Sequence, residues 1–326
     1  MTPDSEYKKT ASGRILDIKR FSLHDGPGIR TTVFLKGCRL RCRWCHNPEG
    51  IFPKAEIGFL KRRCIACEKC AEVCPVGAHV FNKNGHVFDH TVCAACGKCV
   101  DACLSDALEF HGRDMSAEKA ARTVLEDRVF YQKSGGGCTV SGGEPLLQAE
   151  FCAELFRILK RNGIHCAVDT CGAMEWEKIE MILPHADLFL YDLKHTDSAV
   201  HLEQTGRGNG LILENLQKLS QCGVPVEIRI PVIPGFNADG NFMREAGSLL
   251  ASLRNITTVR LLPFHSAHSK CEAIGRHDDM TGVAPPSGTQ IEIFANILRK
   301  FHLNIQGIPE IVPEGNRGTQ SKGFLQ

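Results

Sequence analysis

Three things are scarce or missing in this sequence, and each absence narrows what it encodes. There is no excess of charge of one sign: 39 lysines and arginines against 37 acidic residues leave a formal charge of +2. That balance gives no general reason to expect nucleic acid or an anionic membrane as partner. No apolar run approaches the ~20 residues that a membrane span needs. The opening segment MTPDSEYKKTASGR is polar and leads into no apolar core, so no secretory signal is expected. Together these absences predict a cytoplasmic protein with neither nucleic acid nor membrane among its partners. At 326 residues, 43% of them hydrophobic, the chain is long enough for one large domain plus a smaller module.

What is abundant is cysteine, with 17 residues. A reducing compartment makes so many thiols an argument for metal, not for disulfides. Eleven lie between Cys38 and Cys103. The others, Cys138, Cys152, Cys166, Cys171, Cys222 and Cys271, have no ligand spacing and are expected to be small core residues.

Residues 64–74 read CIACEKCAEVC and residues 93–103 read CAACGKCVDAC. Each is C-x2-C-x2-C-x3-C, so the two form an internal repeat. This is the bacterial ferredoxin spacing, in which three cysteines hold one 4Fe–4S cluster and the fourth ligates the other. The pattern assigns Cys64, Cys67, Cys70 and Cys103 to one cluster, and Cys93, Cys96, Cys99 and Cys74 to the second. One departure is Leu104, which follows Cys103 where proline is common. Two zinc sites are the alternative, but four cysteines within so short a stretch, twice, suit iron–sulfur better. Two such clusters by themselves indicate only electron transfer.

The triad Cys38, Cys42 and Cys45, in KGCRLRCRWCHNPEG, is different. Three thiolates can hold three irons of a cubane and leave the fourth iron open to a non-protein ligand. An open coordination position marks a reactive metal site. Basic runs at Lys36/Arg39/Arg41/Arg43 and Lys61/Arg62/Arg63 flank the cysteines, where positive charge would offset thiolate charge, although either could be a solvated face.

Around these motifs the pattern is strand–helix alternation. RILDIKRF and RTTVFLKG suggest strands within residues 13–37, the second delivering the chain into the triad. Ser116 could cap a helix running to about Ser134, and SGGGCTVSGGEPLLQ reads as a strand, a glycine turn and a helix from near Pro145. Further strands are expected at 165–170, 188–193, 224–231, 257–263 and 303–307, with helices such as 148–161, 209–221 and 241–253 between them. Such alternation implies parallel strands and an incomplete (β/α) barrel, with chemistry at the C-terminal strand ends. Gly142, Gly143, Glu144, Asp169, Thr170, Asp192, Lys194 and His265 fall there, and Arg229 lies within a strand. Taken singly, each has a capping, turn or core role available. Their shared position at successive strand ends favours a site.

The triad spacing resembles the signature of the radical S-adenosylmethionine (radical SAM) enzymes, in which the methionine amino and carboxylate groups of SAM chelate the open iron. Trp44 stands where that family places an aromatic near the adenine. Nearly the whole chain resembles one subfamily, the glycyl-radical-enzyme activating enzymes. The motifs are HDGPGIRTTVFLKGC (24–38), CRLRCRWCHNPE (38–49), SGGEPLLQ (141–148), DTCG (169–172), YDLKH (191–195), IRIPVIPGFN (228–237) and LLPFH (261–265). The implied fold is α/β: a partial (β/α)6 radical SAM barrel formed by 1–52 and 113–326, with a ferredoxin-like two-cluster insert at 53–112.

The resemblance implies three 4Fe–4S clusters and SAM as cofactors, with Cys38, Cys42 and Cys45 as the catalytic ligands. The reduced triad cluster would cleave SAM to methionine and a 5′-deoxyadenosyl radical, which takes a hydrogen from a glycine α-carbon in a partner enzyme. That partner is a glycyl radical enzyme presenting its C-terminal glycine loop. The glycine turn at Gly142, Gly143 and Glu144, with Asp169 and Thr170, would hold the methionine moiety. Lys194 and His265 would take the carboxylate, and Asp192 would sit near the ribose or a monovalent cation. Trp44, Cys45, His46, Leu193 and Arg229 complete the expected cofactor contacts, and Asp25 would lie near the entrance for the partner's loop. The insert is absent from the pyruvate formate-lyase activator. It is shared by activators resembling those of glycerol or diol dehydratases, choline lyase, isethionate lyase, hydroxyproline dehydratase and arylacetate decarboxylases. Its implied role is electron relay from a donor such as flavodoxin or ferredoxin, with a structural or docking role as the rival.

Two other function classes are compatible with the cysteines. One is a ferredoxin-like electron carrier, against which SGGEP, DLKH and LLPFH weigh, since a carrier needs no amino-acid-shaped pocket. The other is a radical SAM enzyme acting on a small molecule or peptide, against which the insert's place directly after the triad weighs.

Overall fold

The computed structural model describes residues 11–83 and 85–307. The first ten residues of the polar opening segment, and the outermost ends of the two barrel spans, lie outside them. Strands β1 (Ser12–Ser22) and β2 (Arg30–Leu35) form an antiparallel pair. The chain then leaves the main sheet for a small body containing β3 (Glu56–Phe59), β4 (His79–Asn82), β5 (Gly85–Phe88) and β6 (Leu108–His111). It returns as β7 (Arg113–Ser116), an edge strand paired to β1. The rest of the sheet is β8 (Gly137–Gly142), β9 (His165–Thr170), β10 (Leu188–Asp192), β11 (Val226–Val232), β12 (Ile256–Pro263) and β13 (Ile305–Gln306).

The strand order is β13-β12-β11-β10-β9-β8-β2-β1-β7, and every pairing from β2 to β13 is parallel. Six of these strands, β2 and β8 to β12, are each followed by helix before the next, so the crossovers stack helices on one face. The two edges, β13 and β7, are not paired to each other, and the sheet stays open. Val33, Leu35, Val140, Val168, Phe189, Tyr191, Ile228 and Val259 bury one face beneath the helices. Period-two alternation turns Thr32, Thr139, Ser141, Asp169, Asp192 and Arg229 to the other. The inner face is therefore the polar one.

Local chemistry explains where the sequence expectations needed correction. Ser116 does cap a helix, its Oγ accepting from Lys119 N at 3.3 Å. That helix ends at Leu125 and a second runs Arg128–Ser134. The break falls at Asp127, whose buried carboxylate accepts from Arg20 and from Thr31 Oγ1 at 2.7 Å. At Pro145 the chain takes a 3-10 turn through Gln148 before the helix Ala149–Arg161 begins. The last strand shortens to two residues. β7 is too short and polar to announce itself.

The small body is a repeat in space as well as in sequence. β3 pairs with β6 and β4 with β5, and shifting 56–82 by 29 residues maps one pairing onto the other, Ile57↔Phe110 onto His86↔Phe81. Short helices Lys69–Glu72 and Lys98–Asp101 correspond. So do the left-handed residues: Ala66 with Ala95, Glu68 with Gly97, Gly77 with Asp106. Four of these six are not glycine, each costing about 1 kcal/mol. The conformation turns amides onto sulfur. Ala66 and Ala95 N–H reach Cys64 and Cys93 at 3.4 and 3.3 Å, and Ala78 and Ala107 reach Cys74 and Cys103 at 3.3 Å.

Candidate active site

The triad loop is fixed from both sides by backbone hydrogen bonds. Cys38 N donates to Ile51 O at 2.9 Å, and Arg41 N to Thr205 O at 2.7 Å. Beneath it lies the glycine turn, with Gly143 N on Leu35 O at 2.8 Å and Glu144 N on Gly37 O at 2.6 Å. A Cβ on Gly143 would stand 2.2 Å from Gly37 O, and one on Gly142 2.3 Å from Leu35 N. Both positions therefore require glycine for the turn to pack against the triad loop.

Glu144 is fully buried and spends its carboxylate within the protein. It accepts from Leu146 N (3.0 Å), Thr170 Oγ1 (2.8 Å), and Cys171 N and Sγ (both 2.9 Å). It thereby ties β8 to the end of β9. Cys171 also bonds to Cys38, which holds the Cys38 thiol below its usual range against the opposing effect of burial. Burial drives the other two thiols upward, Cys42 to about 11 and Cys45 to about 12. Metal must therefore displace protons to bind there.

Charged side chains from successive strand ends converge beside these thiols. Asp169 accepts from Ser141 Oγ at 2.7 Å and lies 3.1 Å from Arg229 Nη1. Lys194 Nζ donates to Asp192 at 2.6 Å. Burial disfavours the Lys194 charge, but Asp192, Cys42 and Cys171 outweigh it and hold the ammonium above its ordinary range. Burial, with Asp192 and Asp25 nearby, raises Asp169 to about 6 despite Arg229 and Ser141. Asp25 itself accepts from Thr32 Oγ1 at 2.7 Å, its loop packed at the N-terminal ends of β2 and β8. Arg229 Nε is buried with no hydrogen-bond partner, and Nη1 is held only by its ion pair with Asp169. Such unsatisfied donors demand an acceptor.

Trp44 is buried against Phe236 at 4.5 Å, in a cluster with Ile233, Phe264 and Met280. A cleft runs past Cys42, Trp44, Cys45, Phe264 and Met280. His46 and His265, next in sequence to the lining residues Cys45 and Phe264, are exposed. The Leu193 side chain instead packs in the main core. Sequence reasoning missed Ser141, Asn237 and the place of Cys171. Asn237 donates to Lys194 O at 2.8 Å and to Pro231 O at 2.7 Å, fixing the lysine; its position two residues after Gly235 in PGFN was the available signal. Of the six scattered cysteines, Cys222 is exposed and the rest are buried.

In the small body, Cys64, Cys67, Cys70 and Cys103 line a single cavity. Cys99 lies close to Cys93, Cys96 and Cys74. These are the two groupings read from the spacing. No helix of the described residues is long and apolar enough to cross a membrane.

An open parallel sheet carrying a three-cysteine loop and a charged inner face at its C-terminal strand ends defines a class, and the comparison with known families agrees. The chain belongs to the radical SAM superfamily, whose model matches residues 32–245. It is 42% identical over 266 residues to a trans-4-hydroxy-L-proline dehydratase activating enzyme of Clostridioides difficile, covering 81% of this chain and 85% of that one. A (2S)-3-sulfopropanediol dehydratase activating enzyme of Klebsiella oxytoca is 42% identical over 259 residues, covering 77% and 82%. A benzylsuccinate synthase activating enzyme of Thauera aromatica is 44% identical over 258 residues, covering 77% and 78%. The chain is an activating enzyme of this kind. Its partner is a glycyl radical enzyme, and its cofactors are a SAM-binding 4Fe–4S cluster and SAM.

Proposed function

We propose that Cys38, Cys42 and Cys45 hold the SAM-binding cluster, and that Asp169, Asp192, Lys194 and Arg229 hold the amino-acid end of SAM. Once bound and reduced, the cluster supplies the electron that cleaves SAM to methionine and the 5′-deoxyadenosyl radical, which takes hydrogen from the partner's glycine. The observation that carries the assignment is the pair of unsatisfied donors on buried Arg229, Nε with no partner and Nη1 held only by the Asp169 ion pair at 3.1 Å. A carboxylate satisfies them, and Lys194, held charged by Asp192, adds a second cation. Asp169 and Asp192 are placed to accept from the amino group or the ribose. Asp25, Asp169 and Asp192 all lie near Arg229, and this carboxylate-rich surround suits a ligand with a sulfonium and an ammonium. Trp44, with Phe236 and Phe264, offers an apolar bed for the adenine. His46 and His265 are available next to the lining residues, while Gly142, Gly143, Glu144 and Thr170 shape the pocket from behind.

The insert, residues 53–112, is read as a ferredoxin-like module with two further 4Fe–4S clusters, set between barrel segments 1–52 and 113–326. The matched halves, their amide-to-sulfur bonds and the repeated C-x2-C-x2-C-x3-C spacing support this reading. The module relays electrons from a donor such as flavodoxin or ferredoxin.

The test is anaerobic. The protein is reconstituted with iron and sulfide, reduced with dithionite and given SAM, and 5′-deoxyadenosine is measured for the wild type and a Cys38→Ala/Cys42→Ala/Cys45→Ala variant. Product from the wild type alone is expected. No product from a fully loaded, reduced wild type would overturn the assignment.

A further inference from the structure

The two halves of the insert share one strand register 29 residues apart, and they differ at two positions close to the cysteines. β5 of one half stands where β3 stands in the other, so His86 matches Ile57, and by the same shift His79 matches Leu108. The first set of four cysteines thus has the imidazole of His86 beside it where the second has Ile57, while Leu108 in the first cavity holds the position of His79 in the other half.

The His86 ring is held on both sides, stacked on Phe81 at 4.3 Å and tilted against Phe59 at 4.3 Å. Its Nδ1 lies 3.4 Å from Cys64 Sγ, and its Nε2 lies 3.0 Å from His79 Nδ1 and 3.9 Å from Cys70 Sγ. The two shorter contacts fix the protons. A cysteine bound to iron is a thiolate with no hydrogen to give, so the hydrogen between Cys64 and His86 sits on His86 Nδ1. In a neutral imidazole the other nitrogen is then an acceptor. His86 Nε2 therefore accepts from His79 Nδ1–H, and His79 Nε2 is left with a bare lone pair. That atom is indeed buried with no hydrogen-bond partner. The chain of tautomers has one direction, and it ends with an N–H aimed at sulfur.

We infer that His86 donates a hydrogen bond to the Cys64 thiolate of the first insert cluster, and that this bond, with no counterpart at Ile57, gives that cluster the higher reduction potential of the two. The inference rests on reading the insert as a two-cluster module. An N–H dipole pointed at a cluster sulfur stabilises the extra negative charge that reduction adds, and it acts strongly in a buried site. The module would then hold a graded pair of clusters, with the second cluster (Cys93, Cys96, Cys99, Cys74), which has Ile57 in the place of His86, the stronger reductant. His79 is a positioning residue that locks the tautomer.

The test uses the full reconstituted chain as wild type, His86→Ile and His86→Asn, the last placing an amide N–H near the Nδ1 position. Iron and sulfide are quantified, and each cluster is followed by EPR during redox titration. Loading of about twelve irons per chain is expected throughout. In His86→Ile one insert cluster titrates lower, its reduced-to-oxidised ratio at fixed poise falling about tenfold, or 59 mV for a one-electron couple. His86→Asn stays near the wild type. Loaded clusters with unchanged potentials in His86→Ile would overturn the inference. Pulsed EPR of wild type carrying 15N-histidine needs no substitution: a histidine nitrogen coupled to one reduced insert cluster is expected, and none would overturn it. A wild type that loads only four irons would instead overturn the two-cluster reading itself.

Discussion

The triad loop and the insert are both proposed to present cysteine to metal, and they differ in where the groups that offset burial of the sulfur come from. In the insert, burial raises Cys70 and Cys99 to about 11, but at Cys74 and Cys103 amides of the residues that follow each one outweigh burial and bring the thiols below their usual range. At those two positions the thiolate is favoured by a few consecutive residues. In the triad loop, burial raises Cys42 and Cys45 to about 11 and 12, and the main counter-charge, Lys194, comes from a strand end some 150 residues away. The difference follows from purpose. The proposed closed clusters draw their ligands from two short motifs, whereas the proposed open one needs a substrate-shaped surround that only the whole sheet can assemble.

The contrast can be broken most severely at the triad. Replacing Cys38, Cys42 and Cys45 with alanine should reduce 5′-deoxyadenosine to background while leaving about eight irons on the chain; loss of all iron would mean that the two regions do not assemble independently. Next comes Arg229→Leu. It should lower kcat/KM for SAM roughly 10–100-fold, the 1.5–3 kcal/mol of hydrogen bonds to a charged group, with insert EPR signals unchanged. The junction between the regions is testable through Glu56, which pairs with buried Lys36 at 2.8 Å and with Arg276. Glu56→Gln leaves two cations facing a neutral amide and should cost roughly 3 kcal/mol in denaturant unfolding. The smallest effect expected is the pH dependence of Asp169. Its folded value, about 6, is raised above that of the unfolded chain. Its stabilising contribution is therefore full below about pH 4 and is lost as pH rises through 6, on the order of 1–3 kcal/mol. Melts of SAM-free protein should show this slope between pH 4 and 7, and Asp169→Asn should flatten it.

How much of this was legible in the sequence tracks the same division. The insert's cysteine groupings were readable because ligand spacing is local: Cys64, Cys67, Cys70 and Cys103 line one cavity as the motif indicated. The parallel strands were readable as well, since β-branched runs buried on the helix face carry their own signal. β7 and the Asp127 break were not, because both depend on partners in β1 and β2 that no local pattern reveals. Nor was the role of Cys171, which resembles a core cysteine until β8 brings Glu144 beneath it. Glu144 and Thr170 were located correctly at their strand ends, but which groups they bond to is decided by packing between strands, not by sequence. His86 lay unremarked between two cysteine motifs, since its meaning appears only when the halves are laid over each other.

The division of labour is tested most directly by disabling the insert alone. A Cys70→Ala/Cys99→Ala variant, loaded at the triad, is assayed for 5′-deoxyadenosine with dithionite and, separately, with reduced flavodoxin. The account predicts that dithionite still drives SAM cleavage while flavodoxin-driven turnover is lost. Undiminished turnover with flavodoxin would contradict it and assign the insert a structural role.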